Sequence, residues 1–351
     1  MNILWFSSCS DNEFDLTAAI AKHPDIKLTL YILADKQDKN HAYHMSQLTK
    51  APNIIINEIE GPQIDDIFRH LPNMEKDLII LRHPTWIPSE GRAKELADML
   101  VNEPYIVTTW EWVPNYAMAQ MPPLLAWKRI AVTNSQDYKR AKMSFPDKQI
   151  LYLPFGVVDR TPEELAPSGQ YSTDLLCDAQ PHYECAEYNG VKRASVDLMI
   201  KPSIALSKDY KLALWGSRYG DTTKCDWGST SDFQPFHMGS FNTKEYPAVY
   251  AGGKIYLGVS WNYGTGGFSV RLARALSTGI MVIWHETEGR KEDLPEDIMM
   301  FSISYDHTTN IINHFMKHEE QRVDLGLKGK KWAISNWEWG KQLKRLAKEI
   351  S

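Results

Sequence analysis

The stretch 254-KIYLGVSWNYGTGGFSVRLARALSTGIMVIWH-285 holds, in order, an apolar run, a turn with three glycines, a segment ending in Gly279, and a second apolar run. The first run, 254-KIYLGVS-260, and the last, 280-IMVIWH-285, are apolar nearly throughout, as expected of strands covered on both faces. Between them, residues 268–278 read as a helix, with Gly279 just past its end. Strand, glycine turn, helix and strand make a parallel βαβ unit, which commits its surroundings to a parallel sheet flanked by helices.

The alternation extends in both directions. Close upstream, 174-DLLCDA-179 and 211-KLALWGS-217 read as strands, with helices at 191–206 and 244–251. Earlier still, strands are expected at 2-NILWFS-7, 28-LTLYIL-33, 53-NIIINEI-59, 78-LIILR-82, 105-YIVTTW-110, 130-IAVTN-134 and 149-QILYLPF-155, with helices near 13–22, 62–71, 91–101 and 136–144. Between the two series lies 160-RTPEELAPSGQYST-173, a connector rich in Pro, Gly and Ser. At 351 residues the chain exceeds the size one hydrophobic core usually serves. The expectation is an α/β protein with two Rossmann-like domains in tandem, 1–156 and 174–328, joined by a linker at 157–173. A terminal amphipathic helix at 329–351 is expected to pack back on the first domain.

Composition narrows the class further. With 43% hydrophobic and 24% charged residues, the chain is an ordinary globular one. The N-terminus, MNILWFSSCSDNEF, lacks a basic region before its short apolar run, so it reads as neither signal peptide nor anchor, and no stretch approaches a membrane span. Cys9, Cys177, Cys185 and Cys225 are scattered without a CxxC pair, which fits a reducing cytoplasm. A net charge of −5 does not steer the whole molecule toward nucleic acid. Lys128, Arg129, Lys139, Arg140 and Lys142 nevertheless crowd into fifteen residues, either as a solvated helix face or as a local basic patch.

Ligands in such sheets sit beyond the carboxyl ends of the strands, so the loops there carry the candidate residues. Gly264, Gly266 and Gly267 form a turn whose backbone N–H groups can approach a ligand, and they open onto a helix N-terminus, a ready anion site. Arg271 and Arg274 follow on that helix. From Tyr246 to His285, forty residues, there is no Asp or Glu, while Lys254, Arg271 and Arg274 are all present. Anion binding accounts for this, and so does a mostly buried domain centre, where acids are scarce. The pattern matches neither a Walker loop nor a strict GxGxxG, and a diphosphate is the first candidate ligand. In the first half, 105-YIVTTWEWVPNY-116 places Glu111 between Trp110 and Trp112 at the end of a buried strand. Such a carboxylate is either a partly desolvated base or a turn cap set among core tryptophans.

The order of these features resembles the two-Rossmann (GT-B) glycosyltransferases: a first domain closing with 153-LPFGV-157, a glycine turn before an Arg-bearing helix in the second, and a terminal helix. More narrowly, 174-DLLCDA-179, 190-GVKRAS-195, 212-LALWGS-217, 239-GSF-241 and 269-SVRLARALSTGIMVI-283 are similar to the DNA β-glucosyltransferases of T-even phages. The resemblance implies an inverting glycosyltransferase that moves a sugar, glucosyl or arabinosyl, from a nucleotide sugar to 5-hydroxymethylcytosine in phage DNA. Other GT-B enzymes act on a glycan or a small molecule, and a binding module without activity is a further alternative. A UDP sugar is the implied co-substrate, with no tightly bound cofactor. Double-stranded DNA with modified cytosine is the implied partner, and the host cytoplasm the location.

Carried over by position, the resemblance gives Arg271 and Arg193 to the diphosphate, and Glu111 to the general base. Gly216, Ser217, the three turn glycines and Arg274 fall on the donor side. Ser8, Arg82, His83, Trp110 and Trp112 fall on the acceptor side. Two positions depart from the family: Arg274 stands where it has a ribose-gripping glutamate, and a second phosphate arginine falls near Asn189. No motif indicates a divalent metal; His182, Glu184 and Cys185 crowd together but lack a zinc spacing. The WEW triplet recurs at 337–339 with nothing repeated around it.

Overall fold

A computed structural model describes residues 1–8, 11–33, 41–82, 90–108, 126–166, 169–179, 196–216, 231–259, 269–286 and 290–351. The chain divides into two compact units, Met1–Val158 with Trp337–Ser351, and Asp159–Asn336.

The first unit is built on strands β1 (Asn2–Ser8), β2 (Lys27–Leu33), β3 (Ile54–Ile59), β4 (Leu78–Arg82), β5 (Tyr105–Thr108), β6 (Arg129–Val132) and β7 (Gln149–Tyr152), in the order β3-β2-β1-β4-β5-β6-β7. Every neighbouring pair is parallel. β4 and β5 are buried at every residue, which explains their unbroken apolar runs. The second unit holds β8 (Thr173–Asp178), β9 (Leu212–Trp215), β10 (Gly253–Gly258), β11 (Met281–His285) and β12 (Met300–Ser302), all parallel, in the order β12-β11-β10-β8-β9. These are the two common doubly wound orders, one with an extra edge strand.

The βαβ unit read from 254–285 is present as β10, the helix Val270–Thr278 and β11. Gly279 ends the helix in the left-handed conformation, φ 84°, where any side chain is strained. Several expected strands overrun. The readings to Asn134, Ser217 and Ser260 stop instead at Val132, Trp215 and Gly258. Asn134 illustrates the cause: it caps the helix Ser135–Ser144, its side chain accepting from the Asp137 N–H at 2.8 Å. β12, three residues long, and the helix His41–Gln47 were not read from sequence, being too short to show a period.

The terminal segment needs a larger correction. Residues 329–350 read as one amphipathic helix, but the chain breaks at Glu338 into the helices Glu319–Trp337, which belongs to the second unit up to Asn336, and Trp339–Ile350, in the first. Glu338 is extended, and its two neighbours bracket Val157: the Val157 N–H donates to Trp337 O at 2.8 Å, and the Trp339 N–H donates to Val157 O at 3.2 Å. The Glu338 carboxylate then caps the new helix, accepting from the N–H groups of Gly340 and Lys341 at 3.0 and 2.9 Å. It also meets His23 Nε2 at 3.0 Å. Beyond the break, Trp339, Leu343, Leu346, Ala347 and Ile350 enter the same core as Ile3, Trp5 and Leu28, with the Trp5 and Trp339 rings edge to face at 5.7 Å. Removing the cap in Glu338→Ala should destabilise the protein by about 1–2 kcal/mol. A thermal midpoint equal to that of the unmutated protein would show that helix docking does not depend on the cap.

Candidate functional site

In a doubly wound sheet, ligands collect where successive connections leave to opposite sides. In the second sheet that point lies between β8 and β10. The last residue of β8 is Asp178, a buried carboxylate that closes the apolar run Leu175–Cys177. Tyr256, on β10, donates its hydroxyl to Asp178 Oδ1 at 2.8 Å, and Tyr250, on the helix Tyr246–Ala251, donates to Oδ2 at 2.5 Å. Arg271, in the first turn of the helix Val270–Thr278, brings its Nε to 3.5 Å from Oδ1. Its side chain is 34% exposed, whereas that of Asp178 is only 10% exposed, so the arginine is the more accessible member of the pair.

Burial pushes the Asp178 carboxyl above the usual carboxylate range, against the pull of Arg271 and the two tyrosine hydroxyls. Burial and the neighbouring carboxylate also drive both tyrosines well above the ordinary phenol range, which keeps their hydroxyls as donors. Arg271 itself stays a cation: burial disfavours its charge, but Asp178 together with the other groups around it raises it on balance.

Arg274, one turn on, is placed differently. It is 6% exposed, with its guanidinium over the Tyr246 ring at 4.7 Å. Arg160 takes the second place on that tyrosine, with its guanidinium 5.1 Å from the ring and Nη2 donating to the hydroxyl at 3.1 Å. Of the two arginines on the helix, Arg271 is the one that faces out. Gly216 follows β9 with φ 138°, and a Cβ there would lie 2.7 Å from Ala179 O, so glycine is required by the approach of the β9 end to the β8 end.

The switch point of the first sheet lies between β1 and β4. There the Arg82 guanidinium, at the end of β4, pairs with Glu13 on the helix Asp11–Ile20, and Ser7 Oγ donates to the same carboxylate at 2.7 Å. All three side chains are buried. Arg82, placed on the acceptor side from sequence, is thus engaged within the fold. The backbone of Ser8 ends β1 beside this cluster. On the neighbouring rim Asp137 is also buried, accepting from Asn134 Nδ2 at 2.6 Å.

Glu111, Trp110, Trp112, His83, Arg193, Ser217, Gly264, Gly266 and Gly267 lie outside the described residues. Sequence reading passed over Asp178, Tyr250, Tyr256 and Glu13. For Asp178 a signal was present, a carboxylate closing the apolar core of 174-DLLCDA-179, the same kind of signal that drew attention to Glu111. Among the described residues no cluster of three or more His, Cys, Asp or Glu could hold a metal ion, and no helix is long and apolar enough to cross a membrane.

A family profile described as glycosyl transferase-like matches residues 193–348, which contain Arg271 and the helix that carries it. No curated protein matches the sequence. Among solved structures, the chain is similar to HepE of Anabaena, crystallised with UDP and glucose, at 11% identity and a TM-score of 0.66, covering 100% of this chain and 99% of that one. The chain has the GT-B fold. Two further GT-B neighbours agree over their length. Sucrose-phosphate synthase from Thermosynechococcus elongatus gives 12% identity and a TM-score of 0.60, covering 99% of this chain and 98% of that one. A TarM variant of S. aureus, crystallised with UDP, fondaparinux and α-GlcNAc-glycerol, gives 7% and 0.63, covering 100% and 99%. In this GT-B chain the outward guanidinium of Arg271 belongs to the second Rossmann unit and the buried Arg82–Glu13 pair to the first.

Proposed function

We propose that the chain is an inverting glycosyltransferase that moves a sugar from a UDP sugar to an acceptor hydroxyl. The observation that carries this is the placement of Arg271: a partly exposed arginine at the switch point of the second sheet, backed by a buried carboxylate. It opens the helix that follows the glycine turn, so a fixed cation and a helix N-terminus act on one anion. The glycosyl transferase-like match over this half supports the reading, as do the UDP molecules in HepE and TarM.

In the proposed step the acceptor oxygen attacks the anomeric carbon as the bond from that carbon to the β-phosphate oxygen breaks. UDP leaves with the electron pair, its growing charge met by Arg271. The acceptor proton passes to Glu111, which takes the role of base from the family resemblance. One displacement inverts the anomeric carbon. Gly264, Gly266 and Gly267 would add backbone donors to the phosphates, and Arg193 a second guanidinium.

Two acceptor classes follow from different observations. The residue likeness to phage DNA glucosyltransferases favours 5-hydroxymethylcytosine in duplex DNA. Of the basic cluster between residues 128 and 142, Lys139 and Lys142 are exposed, while Arg129 is engaged, donating to Glu103 O at 2.8 Å over the Tyr105 ring. The carbohydrate ligands crystallised with HepE and TarM favour a saccharide hydroxyl. Intact-mass analysis of hydroxymethylcytosine duplex and of an oligosaccharide panel, each incubated with UDP-glucose and a UDP-pentose, separates the two. A hexose or pentose increment on the duplex establishes DNA as acceptor, an increment on a glycan establishes the second class, and no transfer or donor hydrolysis in any mixture overturns the enzymatic reading.

A further inference from the structure

Arg271 and Asp178 form a loose pair. The 3.5 Å separation exceeds the usual 2.7–3.2 Å of an N–H···O hydrogen bond, although both side chains come from well-packed elements. Asp178 Oδ1 is already taken by Tyr256 at 2.8 Å, and Oδ2 by Tyr250 at 2.5 Å. The carboxylate therefore keeps two close donors whether or not the guanidinium stays, and the guanidinium can lean outward without leaving a bare buried acceptor.

We propose that Asp178 is a positioning residue, which aims the Arg271 guanidinium at the mouth of the second sheet and takes up a proton when an arriving diphosphate draws that guanidinium away. This rests on the reading of Arg271 as the diphosphate contact. The charge balance gives the direction. A diphosphate on Arg271 neutralises the cation that pulls the Asp178 carboxyl down and brings further negative charge near it. Both changes favour the protonated carboxyl, already favoured by burial. Among the described residues, the other charged or titratable groups that bear on the site do not offset them. Tyr250 and Tyr256 stay protonated, Arg274 is held on Tyr246, and Cys177 is a buried thiol on the same strand as Asp178.

Proton uptake on binding means that affinity is highest at low pH and falls as pH rises through the interval between the titration of Asp178 in the free and in the bound protein, by up to about tenfold per pH unit. The probe is UDP-glucose, whose phosphodiester groups do not titrate near neutrality. Calorimetry in two buffers of different ionisation enthalpy reads the protons taken up per molecule bound. The expected result is uptake of up to about one proton by the unmutated protein and none by Asp178→Asn. Tyr256→Phe keeps the shape but removes one donor from the carboxylate, so the same fall in affinity should move to higher pH.

Equal uptake by the unmutated protein and Asp178→Asn overturns the proposal and leaves the donor reading intact. If Asp178→Asn does not fold, an unmoved pH profile in Tyr256→Phe overturns it. Inorganic pyrophosphate separates the two readings. If it binds with Asp178-dependent uptake while UDP-glucose does not bind, the inference stands and the nucleotide reading falls. If neither binds, both fall.

Discussion

Arg271→Ala should weaken UDP-glucose binding by about 2–4 kcal/mol, the usual consequence of deleting a charge-assisted contact. In affinity this is a loss of roughly 30- to 1,000-fold. The loss should be confined to ligands that carry a diphosphate, since a guanidinium at the second switch point reads charge and not the nucleoside. Arg271→Lys should fall between, because an ammonium restores charge but not the planar fork. The alanine variant also leaves Asp178 without its cation, though not without partners, as Tyr250 and Tyr256 still donate to it. Its melting temperature should therefore fall far less than its affinity. Calorimetry showing unchanged affinity in a folded variant removes Arg271 from the donor site.

Glu111→Gln should cut turnover by roughly 10²-fold or more while leaving donor affinity nearly intact. The amide keeps the size and hydrogen bonding of the side chain but cannot take the acceptor proton. A Glu111 that only caps its turn gives the opposite pattern, in which melting temperature drops and residual activity follows the folded fraction. Turnover and melting measured on the same variant therefore decide between chemistry and scaffolding. Near-normal turnover would pass the role of base to another group, and the first rim limits the choice. Asp137 is buried in its cap with Asn134, and Glu13 is held by Ser7 and Arg82, so neither is presented to an acceptor as placed. His83 is then the next group to test.

The two predictions draw on different sources. Arg271 was marked by its position after a glycine turn in a carboxylate-free stretch, and the folded chain gives it a partner that explains how it is held. Glu111 was marked by its place between two tryptophans and by family likeness, and its role awaits the kinetic test. Arg274 shows the limit of reading by proximity. Three residues from Arg271 and equally basic, it is turned into the unit against Tyr246, because one helical turn carries a side chain from the rim to the packed face.

Period and run length settled most of the architecture before any coordinate. Apolar runs such as 78-LIILR-82 must be covered on both faces, and their alternation with helical stretches leaves a parallel doubly wound sheet as the economical arrangement. The ends of elements were less legible, since a strand stops where a side chain such as that of Asn134 captures the backbone, and periodicity does not register that event. Hence 329–350 looked like one helix, while the actual break at Glu338 depends on Val157, far away in sequence, pairing with the backbone on either side of it. The same reason applies to the site. Sequence determined which strand ends carry charge, but the pairing of Asp178 with Arg271, and the two tyrosines beneath them, required β8, β10 and two separate helices to be brought to one sheet edge. Local spacing fixes what each segment can become; contacts between segments distant along the chain exist only once the sheet orders them, so only the tertiary structure could show which carboxylate stands behind which arginine.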